Sequence, residues 1–189
     1  MKLIVGLGNP GRAYTNNRHN VGFICLNHFA KSQGIKFSQK QGLARTGAGE
    51  VAGNKVMLAR PQTYMNQSGQ SVSRLVQKFK INLDDLLVIH DDLDLPPAKI
   101  RISRGSGSGG HKGIDSIIQE LGSQDFIRIR IGIGRPDKAE TSEADIIDYV
   151  LSNFTPEERQ AIARVIPRVS EAILTILTEG LTPAMNRFN

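Results

Sequence analysis

With a single cysteine, Cys25, the chain cannot form an internal disulfide. At 189 residues it can bury a core without such a staple. Cys25 lies in an apolar pattern at helical spacing, which reads as a small buried side chain and not as a reactive thiol. No apolar run approaches the roughly 18 residues needed to cross a bilayer. The opening MKLIVGLGNPGR looks superficially like a leader, but Gly6, Gly8 and Pro10 break its short apolar run. It reads as a strand and a turn. These absences place the protein in the cytoplasm. Acidic residues are also missing from one region. None precedes Glu50, whereas Lys2, Arg12, Arg18, Lys31, Lys36, Lys40 and Arg45 fall in that stretch. The net charge is +6 and the pI about 9.7. The positive charges are scattered, not run together, so they belong to a folded surface suited to a phosphate-rich ligand.

Strand-like and helix-like segments alternate to the end with no linker between them. Lys2 to Leu7 and LLVIH (86–90) are continuous apolar runs of the kind found in buried strands. Residues 20–33, 66–80 and the stripe Ile114, Ile117, Ile118, Leu121 have helical spacing, and Gly34 and Gly122 are natural stops. KIRIS (99–103) and FIRIRIGIG (126–134) alternate, which predicts basic and apolar residues on opposite strand faces. Thr155-Pro156-Glu157-Glu158 is a capping box with proline at the first helical position, and Pro167 should kink or split the helix it opens. The expectation is one α/β domain over 1–189, a mixed twisted sheet flanked by helices.

Gly6-Leu7-Gly8-Asn9-Pro10-Gly11 matches the G-x-G-x-x-G of dinucleotide-binding folds. That fingerprint also needs an acidic residue roughly 20 positions later to hold the ribose, and none is available before Glu50. The glycines instead suit a turn that holds Asn9 at the carboxyl end of the first strand. GSGSGGHKG lacks Walker A spacing; it reads as a mobile loop whose amides can approach a phosphate.

Of four histidines, His28 lies inside a helical pattern and reads as structural. His19, His90 and His111 stand at element ends, and Asp91 and Asp92 follow His90 directly. There is no HExxH, no cysteine cluster and no close ligand spacing, so neither a metal nor another cofactor is implied. No Gly-x-Ser-x-Gly elbow presents a nucleophile. What remains is a histidine general base oriented by a carboxylate, an arrangement suited to attack of water on an ester or amide. Asn9 and Asn66 are candidate donors to the developing oxyanion. Asn66 reads equally well as a helix N-cap.

Several blocks then converge. They are GNPG (8–11), Tyr14, RHNVG (18–22), RPQTYMNQSG (60–69), HDDLDLP (90–96), GGHKG (109–113), RIGIGRP (130–136) and AMN (184–186). In their order and spacing, over essentially the whole chain, they resemble the bacterial peptidyl-tRNA hydrolases. The resemblance implies a monomer with no obligate protein partner. It implies hydrolysis of the ester that joins a peptide to the terminal adenosine of tRNA, with the acceptor stem bound alongside. His19 matches the family's general base and Asp91 the carboxylate that orients it. Asn9 matches the residue linked to telling blocked from unblocked aminoacyl-tRNA. Tyr14, Tyr64, Met65 and Asn66 match positions around the peptide and terminal nucleotide, and His111 the lid-side loop. Arg130 and Arg135, with basic residues near 99–104, are candidates to clamp phosphates; the alternative is a solvated strand face.

Two positions depart from the family pattern. Lys112 replaces the usual asparagine of the Gly-Gly-His-Asn-Gly loop, exchanging an amide for a cation that only donates. Ser103 stands where the family often carries a basic residue, with Arg104 beside it. An RNA-binding relative that has lost catalysis would share the basic surface; the presence of His19, Asp91 and Asn9 favours the enzyme.

Overall fold

The computed structural model describes residues 1–189. All strands join one seven-stranded sheet: β1 (Lys2–Gly6), β2 (Gln39–Gln41), β3 (Ala44–Val51), β4 (Asn54–Pro61), β5 (Leu86–Asp92), β6 (Ile100–Arg104) and β7 (Ile127–Gly132). The spatial order is β2-β3-β4-β1-β5-β7-β6. β4, β1, β5 and β7 run parallel, while β2, β3 and β6 pair antiparallel at the two sides. The expected mixed α/β sheet is present.

Side chains alternate across β1, yet both faces are buried. Ile4 joins a core of 27 residues that includes Val21, Leu26 and Phe29 of α1 (Val21–Ser32) and Val165, Val169 and Ile173 of α5 (Pro156–Thr178). Leu3 and Val5 join a second core of 15 residues with α2 (Ser68–Phe79) and α3 (Lys112–Leu121). Burial on both faces explains the unbroken apolar runs of β1 and β5, which period-two alternation would not produce. Cys25 is fully buried, as its surroundings in sequence indicated, and burial pushes its thiol up to about 12.

The structure decides two alternatives that the sequence left open. α5 runs as one 23-residue helix through Pro167, so the proline does not split it. The capping box at its start forms as expected, with Thr155 and Glu158 bonded reciprocally. In β7, Ile127, Ile129 and Ile131 are buried, but so is Arg128, at 1 % exposure. The basic face of this strand is therefore covered at Arg128 and only partly exposed at Arg130. The chain at 106–107 folds over it, and the Arg128 guanidinium donates to the Gly107 carbonyl at 2.7 Å and to that of Ser106.

β1 is where the chain reverses its direction of sheet growth, adding β4 on one side and β5 on the other. Carboxyl ends of strands at such a point form a natural crevice. Gly22 brings α1 against this crevice: a Cβ there would lie 2.4 Å from the Ile89 carbonyl oxygen and 2.7 Å from Leu7 nitrogen. Only glycine permits that approach, and it sets the start of α1, and hence His19, directly above β5.

Candidate active site

A cavity of about 530 Å³ lies over the ends of β1 and β5. Asn9, Tyr14, His19, Tyr64, Met65, Asn66, Asp91, His111 and Lys112 all line it, as do His90, Asp92 and Arg135, so most of the residues singled out from sequence meet in one place. Arg130 does not line it. Its guanidinium donates to Asp92 Oδ2 at 3.1 Å, and Asp92 forms part of the wall.

Asp91, 2 % exposed, is the centre of the polar floor. Its Oδ2 accepts from His19 Nδ1 at 2.8 Å and its Oδ1 from His111 Nε2 at 2.8 Å. His111 Nδ1 in turn accepts the backbone N–H groups of Gly113 and Ile114, at 3.1 and 3.3 Å, capping α3. Those bonds fix the His111 tautomer: Nδ1 is the bare nitrogen and Nε2 carries the hydrogen given to Asp91. For His19, the Nδ1 hydrogen is committed to Asp91, leaving the Nε2 lone pair for the cavity. Burial alone would push the Asp91 carboxyl up, but the two imidazoles hold it well below the usual carboxylate range. Burial disfavours a charged His19, but Asp91's charge and hydrogen bond outweigh it and raise the imidazole above its ordinary value.

His90 contributes differently. It is buried beside Asp91, its Nδ1 donates to the Asp91 carbonyl at 2.7 Å, and its ring stands edge-on to His111 with centroids 4.8 Å apart. Burial and the neighbouring His111 drive it well below its ordinary value, so it is neutral. The ligand atoms of His19, Asp91 and His111 lie within 4.8 Å of one another, a spacing compatible with an ion. Both histidine–carboxylate contacts are already of hydrogen-bond length, so a proton occupies each gap in the arrangement seen.

Asn9 is locked from three directions. Its Oδ1 accepts the Met65 N–H at 2.7 Å, its own N–H donates to Asn20 Oδ1 at 2.8 Å, and its carbonyl accepts from Asn20 Nδ2 at 2.9 Å. Because an N–H donates to the side-chain oxygen, the amide orientation is determined, and both Nδ2 hydrogens remain for a ligand. Asn66 is not an N-cap. It lies within the short 3-10 turn Met65–Gln67, one residue before the cap position of α2, and its exposed amide lines the cavity. Lys112 is the first residue of α3, and its ammonium lies 3.3 Å from Glu143 across the cavity mouth.

The sequence reading missed the apolar wall. Ile146, Ile147, Val150 and Leu151 come from α4 (Glu143–Val150) and the residue after it. Its signal was available: Ser142 and Asp145 form a capping box at the helix start. Also missed was the anchor beside His19. The Arg18 guanidinium donates to both carboxylate oxygens of Glu158, to the Tyr149 carbonyl, and stacks 4.0 Å from the Tyr149 ring. This ties the residue before His19 to α4 and α5.

The peptidyl-tRNA hydrolase family model matches residues 3–189. A peptidyl-tRNA hydrolase of Dehalococcoides mccartyi (strain CBDB1) is 50 % identical over 189 residues, covering all of both chains. One of Chloroflexus aggregans is 47 % identical over 190 residues, covering all of this chain and 99 % of the relative. Among solved structures, the Acinetobacter baumannii peptidyl-tRNA hydrolase superposes with a TM-score of 0.92 at 36 % identity, over all of this chain and 94 % of that one. A peptidyl-tRNA hydrolase solved with N-propanol gives a TM-score of 0.94 at 35 % identity, with the same coverage. Sequence match, fold and the shared descriptions agree that the chain belongs to the peptidyl-tRNA hydrolase family, whose members are hydrolases acting on ester bonds.

Proposed function

We propose that the cavity holds the ester between a peptide and the terminal adenosine of tRNA, and that His19 activates water to cleave it. The observation that carries this reading is the buried His19–Asp91 pair, 2.8 Å apart, on the floor of the cavity. Water bound to His19 Nε2 gives up its proton as its oxygen attacks the ester carbonyl. Asp91 keeps the hydrogen on Nδ1, so the accepting nitrogen is Nε2, and its charge stabilises the imidazolium that forms. The negative charge reaching the carbonyl oxygen needs fixed donors, and Asn9 Nδ2 is rigidly placed to supply one. When the carbon–oxygen bond to the ribose breaks, the proton on His19 passes to the departing hydroxyl. Peptide acid and tRNA leave, and His19 is returned to its bare state.

Tyr14, Tyr64, Met65 and Asn66 form the substrate walls in this account, and the α4 side chains add the apolar surface. His111 positions Asp91 by occupying its second oxygen. Lys112, held against Glu143, is a donor to a peptide carbonyl or a phosphate at the cavity mouth. Arg130 acts through Asp92. The family's place in translation and the lack of any helix long and apolar enough to cross a membrane support action in the cytoplasm. One chain supplies every residue of the set, which fits a monomer. The reading is tested with Asp91→Asn. Hydrolysis of N-acetyl-aminoacyl-tRNA should fall by at least about a hundredfold while tRNA affinity changes little. Hydrolysis at the wild-type rate would reject the pairing as catalytic.

A further inference from the structure

Asn9 also lines a second cavity, of about 400 Å³. Its wall carries Arg12, Arg45 and Arg60 and no carboxylate. Arg45 on β3 and Arg60 on β4 are directly opposed across the antiparallel pair. Like charges so placed repel, and a sheet ordinarily avoids them unless something neutralises the pair. None of the three arginines has a carboxylate within 4.0 Å. Arg60 is nonetheless held in one pose. Its guanidinium lies 4.2 Å over the Phe37 ring, Nη1 donates to Asn27 Oδ1 at 2.9 Å, and Nε is buried with no partner in the protein. Burial and the Arg45 charge lower the Arg60 pKa, which is the cost of keeping this cation unneutralised.

Four other arginines are paired with carboxylates. Arg18 pairs with Glu158, Arg104 with Asp84 and Asp125, Arg130 with Asp92 and Arg135 with Asp94. Arg12 and Arg45 of the acid-free segment that precedes Glu50, and Arg60 on the strand paired to it, therefore carry guanidinium charge without a carboxylate partner in a cavity that shares Asn9 with the reaction site.

We propose that the Arg12–Arg45–Arg60 cavity is a subsite for a backbone phosphate of the substrate's RNA near its reacting 3′ end. The inference rests on the reading of the substrate as peptidyl-tRNA. Guanidinium forks match phosphate oxygens in geometry, and binding there would relieve the Arg45–Arg60 repulsion. A carboxylate side chain of the peptide has the same sign. Every peptidyl-tRNA carries phosphates, however, and only some carry an acidic residue beside the ester, so a permanent cluster fits the phosphate.

The test compares wild type with Arg45→Gln/Arg60→Gln and, separately, with Arg12→Gln, which alters only an exposed side chain. The substrates are N-acetyl-leucyl-tRNA, N-acetyl-aspartyl-tRNA and the phosphate-free N-acetyl-leucyl ester of adenosine. For the double variant, KM for both tRNA substrates should rise about tenfold, and the dependence of log KM on log salt should become shallower by about 1–2. Arg12→Gln should show a smaller shift in the same direction, and the adenosine ester should be affected far less. Unchanged KM and salt slope would overturn the subsite. A loss confined to the aspartyl substrate would overturn it too, in favour of a peptide carboxylate. Should wild type cleave neither tRNA, the peptidyl-tRNA reading itself fails, and titration with deacylated tRNA still decides the subsite: weaker binding by the double variant supports it, and equal binding overturns it.

Discussion

Asp91 accepts from two imidazoles whose protons have different fates. His111 is tied at both nitrogens, so it can only hold. His19 is tied at one and keeps Nε2 for chemistry. In the proposed reaction His19 acts as a base when deprotonated, so the rate should rise with pH through its titration. Asp91 raises that imidazole above its ordinary value, which places the wild-type midpoint above that of an ordinary histidine. In Asp91→Asn the raising charge is gone while burial still opposes protonation, so the midpoint of the remaining activity should move to lower pH. A pH profile of kcat/KM checks the direction, and an unmoved midpoint would separate His19 from Asp91. His111→Ala should slow hydrolysis less than His19→Ala, since the His19–Asp91 contact survives; single-turnover rates of the two variants decide this. His19, Asp91, Asn9 and His111 were legible in sequence because each sits at the end of an element, where motif and position coincide. His90 was legible as part of the cluster, but its neutral, buried state depends on side chains that only the fold brings together.

The elements that aim these residues rely on a few close contacts. Gly22→Ala would push α1 away from Ile89 and Leu7, at a cost of about 2–3 kcal/mol, and would lift His19 off Asp91. Chemical denaturation should show the loss, and catalysis should fall further than the fraction unfolded explains. Arg128→Met would leave the Ser106 and Gly107 carbonyls without their donor, a loss of roughly 2–4 kcal/mol. Faster amide hydrogen exchange across residues 105–110 would mark the freed loop. Wild-type protection there would contradict the assignment of Arg128 as its anchor. The alternation in FIRIRIGIG gave side but not exposure, because period two reports side, not solvent. It predicts correctly that Arg128 and Arg130 share a face, but not that the chain at 106–107 returns to cover it. α4 escaped notice because it is short, yet its capping box Ser142-x-x-Asp145 was in plain sequence. Pro167 was read as a kink or a break, and α5 is not broken, since its tertiary packing against α1 outweighs one missing hydrogen bond.

At the scale of the whole molecule, the mixed sheet was legible from continuous apolar runs alternating with helical stripes. Its strand order was not, because parallel pairing is between strands far apart in the chain. The lopsided charge was visible at once, and the fold gives it a location. Arg104, Arg130 and Arg135, candidate phosphate clamps, are paired with carboxylates, and so are Lys2 and Arg18 of the acid-free segment, whereas Arg12, Arg45 and Arg60 are not. A polyanion bound there would release counterions, so affinity for tRNA should fall steeply as salt rises. The central claim is that His19, oriented by Asp91, hydrolyses the ester of an N-blocked aminoacyl-tRNA without help from an added metal. The direct measurement is cleavage of N-acetyl-aminoacyl-tRNA beside unblocked aminoacyl-tRNA, in EDTA, by wild type and by folded His19→Ala. The account predicts cleavage of the blocked substrate only, by wild type only. Equal cleavage by a folded His19→Ala protein, or loss of wild-type activity in EDTA, would contradict it.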